Sequence, residues 1–276
     1  MYRKLNPLPG CILCGEPKQL VLSHVVPNFF RRWMAKELGE APRFQNPHTR
    51  VGQYHQDLSK HRLCCSDCEL AMSRDEAFAQ KKFLVEWQIK GTRNLSYESW
   101  MARFLAGMAA KAAAVLLHSP PSTKRESDLD LPFNQLTRVS LPELERDMLA
   151  KALEVWRQFV LGKLSTPGSH ELHLLGIDTN RLPGLQGVLG HNYLHSEDCS
   201  GILLLLNGVA AIGVVRGSSD FVRRSTRVAI RQGWVGQQNY DIPSMTKEVL
   251  KDLSDANVNT WQIERQLLDA KQSMKR

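Results

Sequence analysis

Several features that would place this 276-residue chain in a special class are missing. Six cysteines are too few for a disulfide-stapled secreted scaffold of this length. With 42% apolar residues the chain is neither disordered nor fibrous. Internal repeats are absent. The opening Met-Tyr-Arg-Lys-Leu-Asn-Pro-Leu-Pro-Gly holds two cationic side chains and no apolar core before Cys11, so it does not read as a secretory signal. A reducing cytoplasm is the expected setting. The longest apolar run, Gly201 to Val215, falls short of the roughly 20 residues that span a bilayer. Asn207-Gly208 interrupts it, and because both turn residues must accept positive φ, the pair predicts a hairpin of two buried strands and no membrane span.

What is present is unevenly placed charge. The chain has 36 Lys+Arg against 28 Asp+Glu, a net +8. Residues 1–64 hold ten basic and four acidic side chains, whereas residues 129–200 hold six and nine. The last stretch, 201–276, turns basic again, eleven against seven. Clustered lysine and arginine gain from releasing counterions when they neutralise phosphates, so the asymmetry favours a polyanionic partner.

Cysteine spacing is more specific. Cys11-x-x-Cys14 and Cys65-x-x-Cys68 each bite one edge of a tetrahedron, and thiolate is the ligand zinc prefers, so the two pairs point to one structural Zn²⁺. Gly15 supports this, since a glycine after the second thiolate lets backbone amides turn toward sulfur. Cys64 competes with Cys65, but only Cys65 has the two-residue spacing to Cys68.

Between the pairs, Leu20 to Pro27 reads as a short strand, Phe29 to Leu38 as helical or irregular, and Gln45 to Gln56 as a polar loop. Helical patterns follow from Ser66 to Gly91 and from about Tyr97 to His118. The second buries Trp100, Phe104, Met108, Ala112, Val115 and Leu116 as core. The polar 119–139 stretch is the expected linker between a 1–118 unit and a 140–276 unit. Ser140-Leu141-Pro142-Glu143 is a capping box opening a helix to about Gly162. Strands are expected at Leu172–Ile177, at Gly187–Leu194 and on both arms of Asn207-Gly208. A helix over Asp220–Gln232 and two more near the C-terminus complete the expectation.

The order Cys-x-x-Cys, Ser23-His24-Val25-Val26-Pro27, polar segment, Cys65-x-x-Cys68-Glu69 opening a helix resembles the HNH endonuclease family. More narrowly it is similar to bacterial members with Ser-His-x-x-Pro and Cys-Glu-x-x-x-Ser-x-x-Glu, here Cys68 to Glu76. The resemblance covers roughly 11–118. It implies a zinc-stabilised ββα-metal (HNH-like) module; with the helices and the C-terminal mixed α/β domain read from the patterns above, the expected class is α+β.

It also implies hydrolysis of DNA phosphodiesters, with RNA left open, in an anti-phage or mobile-element setting. His24 would be the base that accepts a proton from water, while Mg²⁺ or Mn²⁺ stabilises the developing charge. Ser23 stands where the family often has a metal-binding aspartate. Glu69 stands where it often has a histidine ligand, and the family's middle asparagine is replaced by the segment around Asp57. Asp57 and His61 are the leading candidates for the vacant ligand role, ahead of His48 and His55. Arg31, Arg32, Arg43 and Arg50 would give the module a phosphate-facing surface, and Arg223, Arg227 and Arg231 fall on one face of the expected C-terminal helix. A further set, His191, His195, Asp198 and Cys199 with His170 and His173, has metal-ligand types but no diagnostic spacing.

A competing expectation follows from Ser23 and the missing asparagine: a catalytically inactive zinc scaffold that binds nucleic acid or a protein. On this reading the C-terminal domain contacts DNA, a protein partner or a second copy of the chain.

Overall fold

A computed structural model describes residues 5–37, 43–45, 60–90, 94–97, 99–119, 141, 143–176, 188–195, 200–217 and 238–241. Strand β1 (Leu20–His24) pairs antiparallel with β3 (Lys60–Cys65), Ser23 facing His61 and His24 facing Lys60. Helix α1 (Asn28–Glu37) starts directly after Pro27, burying Phe29, Phe30 and Met34. Helix α2 (Ser66–Phe78) opens as soon as β3 ends, with Asp67 and Glu69 in its first turn, where carboxylates suit the helix dipole. The same run continues as a wide i→i+5 helix over Ala79–Ile89, closed by Lys90 N–H on the Val85 carbonyl. The antiparallel β1–β3 pair thus leads directly into α2, with α1 inserted between the two strands along the chain.

Helix α3 (Ser99–His118) is the centre of the molecule. It is long and apolar enough to cross a membrane by composition, but 83% of it is buried inside the protein. Its alanines, from Ala106 to Ala114, let neighbours approach closely. Helix α4 (Glu143–Val160) packs along it.

Behind these helices lies a five-stranded sheet in the order β2-β6-β7-β8-β5. Strands β5 (Leu172–Gly176), β6 (Val188–His195), β7 (Ser200–Leu206) and β8 (Val209–Arg216) pair antiparallel; β2 (Arg43–Gln45) joins β6 in parallel. Asn207 (φ 51°) and Gly208 (φ 83°) make the expected two-residue turn between β7 and β8. Every residue of β7 is buried, so the sheet is covered on both faces and reads as continuous apolar runs rather than alternation. The face toward the helices is so close that a Cβ on Gly213 would come within 2.8 Å of the Trp156 ring. Trp156 is itself fully buried and donates its indole N–H to the His170 carbonyl, 3.0 Å away. A separate pair joins β4 (Asn94–Tyr97) to β9 (Gln238–Asp241).

One hydrophobic cluster runs from Cys11 through α3 to Val215. The architecture is therefore α+β, an N-terminal strand-and-cysteine region, then helices, then a mixed sheet. The expected 119–139 linker, apart from Ser119, lies outside the described residues, as do the expected helices after Arg216.

Candidate metal centre and the polar pocket beside it

Backbone geometry brings the two cysteine pairs together. Gly15 has φ +80°, which a side chain would resist, and its N–H bonds the Cys11 carbonyl at 2.8 Å. Ile12 N–H bonds the Leu63 carbonyl at 2.9 Å, so the first knuckle is laid against the strand that leads into the second. The sulfurs of Cys11, Cys14, Cys65 and Cys68 consequently lie within 4.8 Å of one another. Cys14 and Cys65 are 3.9 Å apart. Zn–S bonds of about 2.3 Å in a tetrahedron require sulfurs about 3.8 Å apart, so the donor set fits a four-coordinate zinc with no open position. Cys11, Cys65 and Cys68 are buried and Cys14 half-buried, as suits a structural ion. Cys64 is not part of this set. Its buried thiol hydrogen-bonds the Cys11 sulfur, and that bond, against the effect of burial, holds Cys11 at about 3. The same bond and burial push Cys64 upward. Cys64 thus supports a ligand rather than replacing one.

Beside the cysteines, α2 and α3 meet in three antiparallel steps. Arg103 clamps Asp75 through two bonds of 2.9 and 2.8 Å. One turn on, Gly107 faces Met72, whose sulfur would lie 3.3 Å from any Cβ there. A further turn on, the Lys111 ammonium sits 3.1 Å from Glu69 Oε1 and 3.7 Å from Glu76 Oε1. The Lys111 side chain is only 2% exposed. Ser23 Oγ–H donates to the other Glu69 oxygen at 2.9 Å, tying β1 into the same pocket. Burial raises Glu76 above its ordinary value, and Lys111 opposes that rise.

Of the expected site residues, Glu69 is therefore in the pocket, next to the position the sequence assigned to a metal-binding aspartate and occupied here by Ser23. His61 is buried, and burial lowers its pKa, favouring the neutral ring. Strand alternation sets Ser23 and His61 on one face of the β1–β3 pair and His24 with Leu22 and Arg62 on the other. His24 is half-buried. Asp57 lies outside the described residues, with His48, His55, Arg50, Arg223, Arg227 and Arg231. Arg31 is half-buried with its Nε donating to Asn28 Oδ1 at 2.8 Å, and Arg32 is exposed. Arg43 opens β2 alongside Val188.

Among the described side chains of the histidine-rich set, His173 and His191 do not come together. His173 stands opposite Ile212 and His191 opposite Leu204, and the cross-sheet register puts these on opposite faces. Both rings are buried. His173 instead lies 3.3 Å from Glu171. Asp198 and Cys199 lie outside the described residues.

A second buried polar group was not anticipated. Glu145 on α4 accepts hydrogen bonds from the Tyr193 hydroxyl and from Arg216 Nε, the latter at 2.9 Å. Burial would raise this carboxyl, but bonds from Tyr193, Ser200 and Arg216 outweigh it and hold it below its usual range. Lys111 was equally unforeseen. Its signal was one cation inside Met-Ala-Ala-Lys-Ala-Ala-Ala-Val, a helical stretch otherwise suited only to core.

The cluster thus supplies a structural metal site, and the pocket supplies a closed charge network of a lysine, two glutamates and a serine. The chain matches no family model, no curated protein and no solved structure.

Proposed function

We propose that this chain is a zinc-scaffolded nucleic-acid-binding module, related in plan to HNH nucleases, that does not carry out hydrolysis. The observation that carries this reading is the state of Glu69. The carboxylate that a nuclease of this plan would turn to a catalytic cation has one oxygen on Ser23 and the other on Lys111. His24, the expected base, belongs to the other face of its strand pair. A base must reach the water it activates, and a hydrolytic metal must find open oxygen ligands.

Affinity for nucleic acid rests on the charge pattern. Ten basic against four acidic side chains fall in residues 1–64, with Arg32 exposed on α1. DNA is the leading partner.

Filter retention of zinc-loaded protein on duplex DNA tests this, alongside plasmid nicking with Mg²⁺ or Mn²⁺. Retention is expected to fall by about a thousandfold or more between about 50 and 200 mM salt, the signature of several phosphate contacts. No nicking is expected with either ion. Nicking that disappears in His24→Ala would restore the hydrolytic reading, and salt-independent or absent retention of both DNA and RNA would remove nucleic acid as the partner.

A further inference from the structure

We propose that the pocket formed by Ser23, Glu69 and Glu76 is a cation site whose permanent occupant is the chain's own Lys111. This deepens the non-hydrolytic reading and rests on it: the module would need no divalent ion beside its zinc, because the place for one is filled by a covalently attached ammonium.

Three elements build the site. α2 brings two carboxylates seven residues apart on one helical face, α3 brings the cation between them, and β1 brings the Ser23 hydroxyl that holds the far oxygen of Glu69. Both glutamates keep side chains 29% exposed, so the pocket opens toward solvent on the carboxylate side while the lysine enters from the core side. That direction of entry matters. A lysine that only decorated an acidic patch would reach in from water and keep its stem exposed, as long charged side chains usually do. Lys111 instead leaves an alanine-lined helix at the centre of the molecule and is almost fully enclosed.

Enclosing an ammonium is costly unless its charge is matched, and two hard oxygen anions match it here. Carboxylate oxygens of this type are also those that Mg²⁺ and Mn²⁺ take. Burial raises Glu76, Lys111 opposes the rise, and the neighbouring Glu69 adds a smaller upward push. The clamp two helical turns away, Arg103 on Asp75, and the glycine contact between them fix α2 against α3, so the distance from α3 to the glutamates is set by the scaffold. A single monovalent charge in a rigid, preformed oxygen pocket is a device for keeping divalent ions out.

The test uses full-length, zinc-loaded protein, with Mn²⁺ followed by electron paramagnetic resonance and by thermal melting. Lys111→Ala is expected to gain one Mn²⁺ site, bound at least about tenfold more tightly than by the parent. Its Tm is expected to fall and then to recover on adding either Mn²⁺ or propylammonium, which replaces the deleted side chain in shape and charge. A triple variant, Lys111→Met with Glu69→Gln and Glu76→Gln, carries no charge in the pocket. It is expected to melt above Lys111→Ala and to respond to neither cation. If Lys111→Ala is recovered folded only when one of the two cations is present, the proposal stands. It is overturned if Lys111→Ala melts like the parent, if neither cation restores it while the triple variant folds, or if the parent binds Mn²⁺ as tightly. These readouts are independent of DNA retention, so the nucleic-acid reading can fail while the cation proposal holds, and the reverse.

Discussion

Helix α3 is held on two sides by different physics. Toward α2 its contacts are mainly charges and one glycine, closed by a ring stack: Arg103 on Asp75, Gly107 on Met72, Lys111 on Glu69 and Glu76, and Trp100 on Phe78. Toward the sheet they are apolar surfaces, with Trp156 of α4 pressed on Gly213 beside Ala109. The zinc side therefore depends on partners that must all be present, because a buried charge without its counterpart is worse than no charge. The sheet side depends on volume, and tolerates change in proportion to the space it opens.

The largest expected difference between the two sides comes from the metal. Structural zinc in small modules contributes on the order of 10 kcal/mol to folding, so Cys14→Ser or a strong chelator should abolish order around β1, β3 and α2. Metal analysis should give close to one zinc per chain for the parent and none for the variant. Amide exchange should show the β6–β7–β8 strands retaining more protection than β1 and β3; equal loss in both would mean the two sides fold as a single unit.

Next come single side chains. Trp156→Ala should cost about 3–5 kcal/mol by denaturant melting, with zinc content unchanged. Lys111→Ala should cost about as much, since removing one partner of a buried pair strands the other. The two differ in remedy. The tryptophan cavity should be relieved by an apolar guest, the lysine cavity only by a cation.

Acid distinguishes the sides by sign. Glu145, on the sheet side, is held below its usual 4.5, so its contribution is complete above that value and disappears as pH falls through the folded one. Glu76, on the zinc side, is raised, so its contribution is complete below 4.5 and disappears as pH rises through the folded one. Thermal melts against pH should therefore flatten on the acid side in Glu145→Gln and on the alkaline side in Glu76→Gln. The smallest effect is expected from Lys18→Ala. It removes an exposed pair with Asp67 at 3.0 Å, and screening by water should leave the melt almost unchanged.

The parts legible in the sequence were those governed by local chemistry. Cysteine spacing named the four ligands, Asn207-Gly208 named the β-turn, and periodicity found α3, α4 and the strands of the hairpin. What stayed hidden depended on partners distant along the chain. Lys111 reads as a flaw in an apolar helix until α2 is laid beside it, and Glu145 reads as a first-turn carboxylate until Tyr193 and Arg216 arrive from the sheet. His173 and His191 looked alike in the sequence because a single strand pattern does not say that both faces of a sheet are covered. The three-residue β2 has no pattern of its own, and its pairing with β6 is a property of the whole fold.

That last pairing orders events on the ribosome. Arg43 to Gln45 are synthesised early, before the thiols of Cys65 and Cys68, yet the strand they lie against begins only at Val188. During most of translation the metal-binding end can close around its ion while this short strand has no neighbour. Pairings so distant in sequence form slowly, and unpaired strands are where nascent chains adhere to one another. Keeping that waiting segment to three residues, with an arginine at its start, limits the template it offers to other chains.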